Sequence, residues 1–182
     1  MKSFSKLGSV LAVLFLLAGT AMAADALATG TIKGINADKS EFVLTDSAGK
    51  DVTFKLDASV IVNRGGTESK SDLKAGDVVN VSYNKGLVTW TAKYILVQEG
   101  DSKTWELAQG NFKSYDASKK EIVCTDAQGK DYTYATGDAK VRMNKKEAAV
   151  EDIKIGEHVL CILLQPAGDK TTLQALLFER AT

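Results

Sequence analysis

The sequence predicts an all-β protein, two tandem small antiparallel β-barrels of five to six strands each behind a leader peptide. Three observations predict it. Most of the chain is one unit written twice, each unit alternates apolar and polar residues between turn signals, and no stretch sustains the spacing of a long helix.

The first residues read as a leader. Lys2 and Lys6 form a short basic region, Val10 to Ala18 is an uncharged apolar run, and Ala21-Met22-Ala23 is a small-x-small cleavage signal. The apolar run is shorter than the roughly 20 residues that a spanning helix needs. No cysteine stands just after it, so a lipid-anchored form is not expected. Residues 1–23 are therefore expected to be a signal peptide, and the mature chain a periplasmic or extracellular protein with no transmembrane span. Taking the two leader lysines from the balanced 23 basic and 23 acidic residues leaves a slight negative excess. A nucleic-acid binder needs a basic footprint to release counterions, so nucleic acid is not an expected partner.

The copy appears when residue i is set over residue i+80. Gly30-Thr31-Ile32-Lys33 falls over Gly110-Asn111-Phe112-Lys113, and Lys39, Glu41, Val43, Thr45 and Asp46 fall over Lys119, Glu121, Val123, Thr125 and Asp126. Roughly half of the first 25 aligned positions are identical, which compositional chance does not produce. The register slips near Val60 and Val141 and then returns, so that Asp72-Leu73-Lys74-Ala75-Gly76-Asp77 lies over Asp152-Ile153-Lys154-Ile155-Gly156-Glu157. Extra residues around Pro166 shift it again, setting Ala92 over Ala175 and Ile95 over Phe178. The expected domains are 24–99 and 105–182.

Within each copy the strand signals follow in order. Glu41 to Thr45 and Val52 to Leu56 alternate and are rich in β-branched and aromatic residues. Asp46-Ser47-Ala48-Gly49 between them is a hairpin turn, with Gly49 free to take a positive φ. Val79, Val81 and Tyr83 alternate with Asn80 and Ser82, and Asn84-Lys85-Gly86 turns the chain into a strand expected from Leu87 to Gln98. Ser71 to Lys74 leaves room for one helical turn at most before Gly76. So many strands in so few residues must manage their edges, and closing the sheet into a barrel does so more fully than an open sandwich.

The pattern Gly-x-Ile, then Asp-x-x-Gly-Lys in a hairpin, then Asp-Leu-Lys-x-Gly-Asp-x-Val-x-Val, then a final strand with Ala92 and Ile95, occurs in both copies. It resembles the OB-like domains of unknown function found in secreted bacterial proteins. These motifs specify turns and core positions, so the resemblance implies a fold and a compartment, and no activity.

The inventory for catalysis is thin. The chain has one histidine, His158, at the position of Val78, so no histidine cluster can bind zinc. No glycine-rich loop opens a helix, which removes the physical basis of a phosphate site. Asp46, Asp51 and Asp57, with Asp126, Asp131 and Asp138, alternate with lysines in the manner of a solvated hairpin surface and lack the spacing of a calcium loop. Neither an enzyme nor a cofactor is expected.

Cys124 occupies the position of Leu44 and Cys161 that of Val81, both core positions. An oxidising compartment favours a disulfide between them. The other reading is two buried thiols acting as small hydrophobes. The final strands are apolar on both faces: Trp90, Ala92, Tyr94 and Leu96 share one parity and Ile95 and Val97 the other. A half-buried strand alternates with polar residues, so the outer face is expected to be covered, with the other repeat the favoured cover. Trp105 follows the short linker and is expected at that joint. Tyr83, Trp90, Tyr94 and Trp105 are thus candidates for an interface or, if exposed together, a ligand platform. The expected function is a non-enzymatic binding or structural module of the cell envelope whose partner is a protein, a glycan or a second copy. The alternative is a small-ligand or oligosaccharide binder using an aromatic barrel face.

Overall fold

The structure, a computed structural model, describes residues 25–164 and 171–180. The expected signal peptide and the segment around Pro166 lie outside the described residues. The first unit contains β1 (Asp25–Asn36), β2 (Glu41–Asp46), β3 (Asp51–Arg64), a short β4 (Thr67–Ser69), β5 (Val78–Lys85) and β6 (Trp90–Val97). The second contains β7 (Trp105–Asp116), β8 (Glu121–Thr125), β9 (Asp131–Ala135), β10 (Lys140–Met143), β11 (Lys146–Glu147), β12 (His158–Leu164) and β13 (Thr172–Phe178). Helix among the described residues is confined to the 3₁₀ turns Gly100–Thr104 and Val150–Asp152.

Each unit closes on itself. In the first, β1 pairs with β2, β2 with β3, β3 with β6, β6 with β5, and β5 with β1. All these pairings are antiparallel except the closing one, where β3 runs parallel to β6. The second unit repeats the ring, with β9 and β10 together taking the part of the long β3. Among the described residues, closure leaves only the short β4 and β11 as edge strands, which is how so small a sheet protects its unpaired backbone.

Two devices make closure possible, and both are written twice. β1 is shared, its first half pairing with β5 and its second half with β2, so it must bend sharply. A bulge between Ile32 and Gly34 supplies the bend, and β7 bulges identically between Phe112 and Ser114. Just before each bulge the chains press together at a glycine. A Cβ on Gly30 would lie 2.3 Å from the Thr45 carbonyl oxygen, and one on Gly110 would lie 2.7 Å from that of Thr125. The hairpin turns also match. The Asp46 carboxylate accepts from the backbone N–H groups of Ala48 and Lys50, both at 2.9 Å, and Asp126 does the same for Gln128 and Lys130. Asp51 is paired with Lys33 at 2.5 Å and accepts from Thr45 at 2.7 Å, with Asp131, Lys113 and Thr125 repeating the triad. These aspartates are committed to turns and strand pairs.

Each barrel has its own core. Ile32, Phe42, Leu44, Phe54, Val79, Val81 and Ile95 fill the first, and Phe112, Ile122, Cys124, Val159, Cys161, Leu173 and Leu176 the second. The final strands depart from the alternation expected of them. A bulge beside Ser82 and Tyr83 inserts Lys93 into β6, so parity changes partway along the strand. Trp90 and Ala92 face the barrel interior; beyond the bulge Ile95 and Val97 face it, while Tyr94 and Leu96 turn outward. β13 does the same, with Leu173, Leu176 and Phe178 inside and Ala175 and Leu177 outside. The strand also begins later than its sequence suggests, because Leu87 and Val88 form a fully exposed turn. The pairings correct the repeat alignment too. Val79 lies opposite Val97 and Val159 opposite Phe178, which makes Val97, not Ile95, the counterpart of Phe178.

Candidate binding cleft between the barrels

The outward residues of the final strands create the joint between the units. Tyr94 and Leu96 of the first barrel, with Ile61 beside them, pack against Trp105, Leu107, Leu160, Ile162, Ala175 and Leu177 of the second. Polar groups staple the rim of this contact. Lys93 pairs with Glu179 at 3.1 Å, the Lys145 ammonium donates to the Ser59 carbonyl at 2.7 Å, and Gln109 donates to the Asp25 carbonyl at 2.8 Å. Arg142 also pairs with Glu68 across the joint. Inside it, the Asn63 amide donates to the Tyr94 hydroxyl at 2.8 Å, with both residues buried. Burial raises the Tyr94 pKa, so the ring is held as the neutral phenol.

The two convex barrels do not meet everywhere, and the remaining space is a cleft of about 130 Å³. Its floor is apolar, from Ile61, Leu160 and Leu177, and its walls carry Asp25, Lys93, Lys145, His158 and Glu179. His158 Nε2 lies 3.7 Å from an Asp25 carboxylate oxygen at the mouth, and both side chains are partly exposed. A second space of about 150 Å³ lies on the other side of Arg142, between Asn63, Glu68, Trp105 and Gln174. The first cleft can receive a small molecule with an apolar body and polar ends, because it offers charges of both signs above a hydrocarbon floor.

The four aromatics singled out in the sequence separate into two pairs. Tyr83 and Trp90 stack at 5.1 Å inside the first barrel, continuing a column through Phe54 to Phe42. Lys85 sits 5.2 Å from the Trp90 ring centre. Tyr94 and Trp105 lie in the joint instead. The four therefore do not share one face. Cys124 and Cys161 are both buried in the second core with unbonded thiols. Sequence reasoning placed His158 at a strand start, where it is, and missed its neighbours. Asp25, Lys93, Lys145 and Glu179 share no local motif, and only the docking of one barrel on the other gathers them. The signal that was available is the lysine interrupting the apolar β6.

No protein-family model matches the chain, and no curated protein matches it. Solved structures do. A crystal structure of CusF with Ag(I) matches with 18% identity over 41% of this chain and 97% of that one, at a TM-score of 0.34. CusF-Ag(I) from Escherichia coli matches with 19% identity over 43% of this chain and 98% of that one, at 0.35. Apo-CusF from Escherichia coli matches with 18% identity over 44% and 94%, also at 0.35. Likenesses of this size, over less than half of the chain, assign it no ligand.

Proposed function

We propose that this chain is an extracytoplasmic, non-enzymatic binding module that takes a small amphipathic molecule in the cleft between its barrels. The observation that carries the reading is the make-up of that cleft. Both repeats contribute walls, the floor is hydrocarbon, and ionic side chains of opposite sign stand at the rim. Neither barrel alone contains the site, which gives the duplication a purpose. The leader-like residues 1–23 and the resemblance to secreted OB-like domains support the compartment, and residues 24–99 and 105–182 are the two units.

The reading is tested by titrating the protein with benzoate and, separately, with benzylamine, while following the methyl signals of Ile61, Leu160 and Leu177 by NMR. Saturable shifts confined to these methyls are expected from one of the two probes, and their loss in Ser59→Trp, which plugs the exposed rim. No shift with either probe, or shifts that survive the plug, overturns the assignment.

A further inference from the structure

The second barrel thins the aromatic column of the first and carries a pair of thiols in its interior. In the first barrel the interior is filled by Phe42, Phe54, Tyr83 and Trp90 in mutual contact. The strand pairings put Ile122, Tyr134 and Leu163 at the positions of the first three, and the pairing of Thr172 with Leu164 leaves no tryptophan at the fourth. Cys124 and Cys161 stand in this reduced interior, at 4% and 1% exposure, where the first barrel has Leu44 and Val81.

Topology brings them together. Cys124 lies on β8 opposite Phe112, and Cys161 on β12 opposite Ala108. Both partners are on β7, whose bulge bends its two halves so that β8 and β12 fold over one another. The inward side chains of those strands then meet across the core, where both cysteines belong to one buried cluster and each thiol perturbs the other.

We propose that Cys124 and Cys161 form a disulfide across the interior of the second barrel, closed as the chain folds in an oxidising compartment. The oxidant is a disulfide of a small thiol or of a thiol–disulfide oxidoreductase. One cysteine thiolate attacks it, giving a mixed disulfide and releasing one thiol. The second cysteine displaces the other thiol and completes the bridge. Two electrons and two protons pass from the cysteines to the oxidant's S–S bond. Closure must precede final packing, since neither sulfur is open to a reagent once the barrel has formed.

The test unfolds the full chain, refolds it with oxidised and reduced glutathione, and alkylates it under denaturing conditions before intact-mass and peptide analysis. The expected product carries no alkyl group, is lighter than the reduced chain by two hydrogens, and yields peptides 121–130 and 155–170 joined. Reduction is expected to lower the midpoint of thermal unfolding by about 10 °C or more, since the bridge closes a long loop. Cys124→Ala is expected to start at the lower value and not respond to reductant, and Cys161→Ala gives the same readout if that variant folds poorly. Two alkylated cysteines, two glutathione adducts or a bridge between chains would overturn the proposal. Because these readouts involve no ligand, they are independent of the cleft assignment.

Discussion

Arg64 and Arg180 hold the same pair of acceptors in the two repeats, reaching them from opposite strands of the parallel closing pair. Arg64, at the end of β3, donates to the Asp72 carbonyl at 3.0 Å and to the Asp77 carboxylate at 2.6 Å. Arg180, two residues beyond β13, donates to the Asp152 carbonyl at 2.7 Å and to the Glu157 carboxylate at 2.6 Å. The register makes Met143 the counterpart of Arg64 and Glu99 that of Arg180. Glu99 in turn pairs with Arg64. The cation has changed strands while its job has stayed put. Asn144 fixes the second version, its amide accepting from the Arg180 N–H at 2.8 Å and donating to its carbonyl at 2.9 Å.

This relationship predicts that Arg64→Met destabilises the protein by about 2–3 kcal/mol in urea unfolding, because the largely buried Asp77 carboxylate loses its cation. Combining it with Glu99→Arg installs the arrangement of the second repeat in the first, and should restore at least half of the loss. A double variant no more stable than the single one would show that the two locks are not equivalent.

Stability should also fall in acid through Glu157. The Arg180 hydrogen bond, opposed by partial burial and aided by the Lys154 N–H, holds this carboxyl at about 2 against an ordinary 4.5. A pKa depressed by folding gives stabilisation that is complete above 4.5 and is lost as the pH falls from there toward 2. Thermal midpoints measured across that window should drop, and Glu157→Gln should flatten the slope without abolishing it. Asp51 and Asp131, held low by Lys33 and Lys113, and Asp57 and Asp116, held low by the hydroxyls of Ser59 and Ser118, contribute to what is left. An unchanged slope in the variant would remove Glu157 from the account.

Gly30 is required for its lack of a side chain. Gly30→Ala should cost about 1–3 kcal/mol or more, since its methyl group would meet the backbone oxygen of Thr45, which cannot swing away. Gly34→Ala, four residues on in open space, should change stability by less than about 0.5 kcal/mol. Denaturant titration of the two variants separates close approach from a general intolerance of the bulge.

The joint rests partly on one buried hydrogen bond. Tyr94→Phe removes the acceptor of the Asn63 amide, whose other end already serves the Gly66 N–H at 2.9 Å, and should cost about 1–3 kcal/mol. Proteolysis at the linker near Gly100 should speed up in the same variant if the barrels loosen. A variant as stable as the parent would mean that the amide finds another partner.

Much of the fold was legible in local chemistry. Period-two runs such as Glu41 to Thr45, the Asp46 and Asp126 turns and the matching of Gly30 with Gly110 all act over a few neighbouring residues, so reading neighbours suffices. The final strand was misread for the opposite reason. The bulge at Lys93 falls where β6 pairs with β5 on one side and β3 on the other, and the lone lysine in an apolar strand is its one local trace. One inserted residue exchanges the faces, sending Tyr94 to the joint while Trp90 stays in the core.

By itself the sequence determined a duplicated all-β chain, its turns, its two cores and the inward positions of Cys124 and Cys161, because periodicity and turn residues are local properties. Only the tertiary structure decided the parity of β6 and β13, the strand that carries each arginine lock, and the cleft that gathers Asp25, Lys93, Lys145, His158 and Glu179. These depend on the register between distant strands and on how one closed barrel rests against another. Residues far apart along the chain set both.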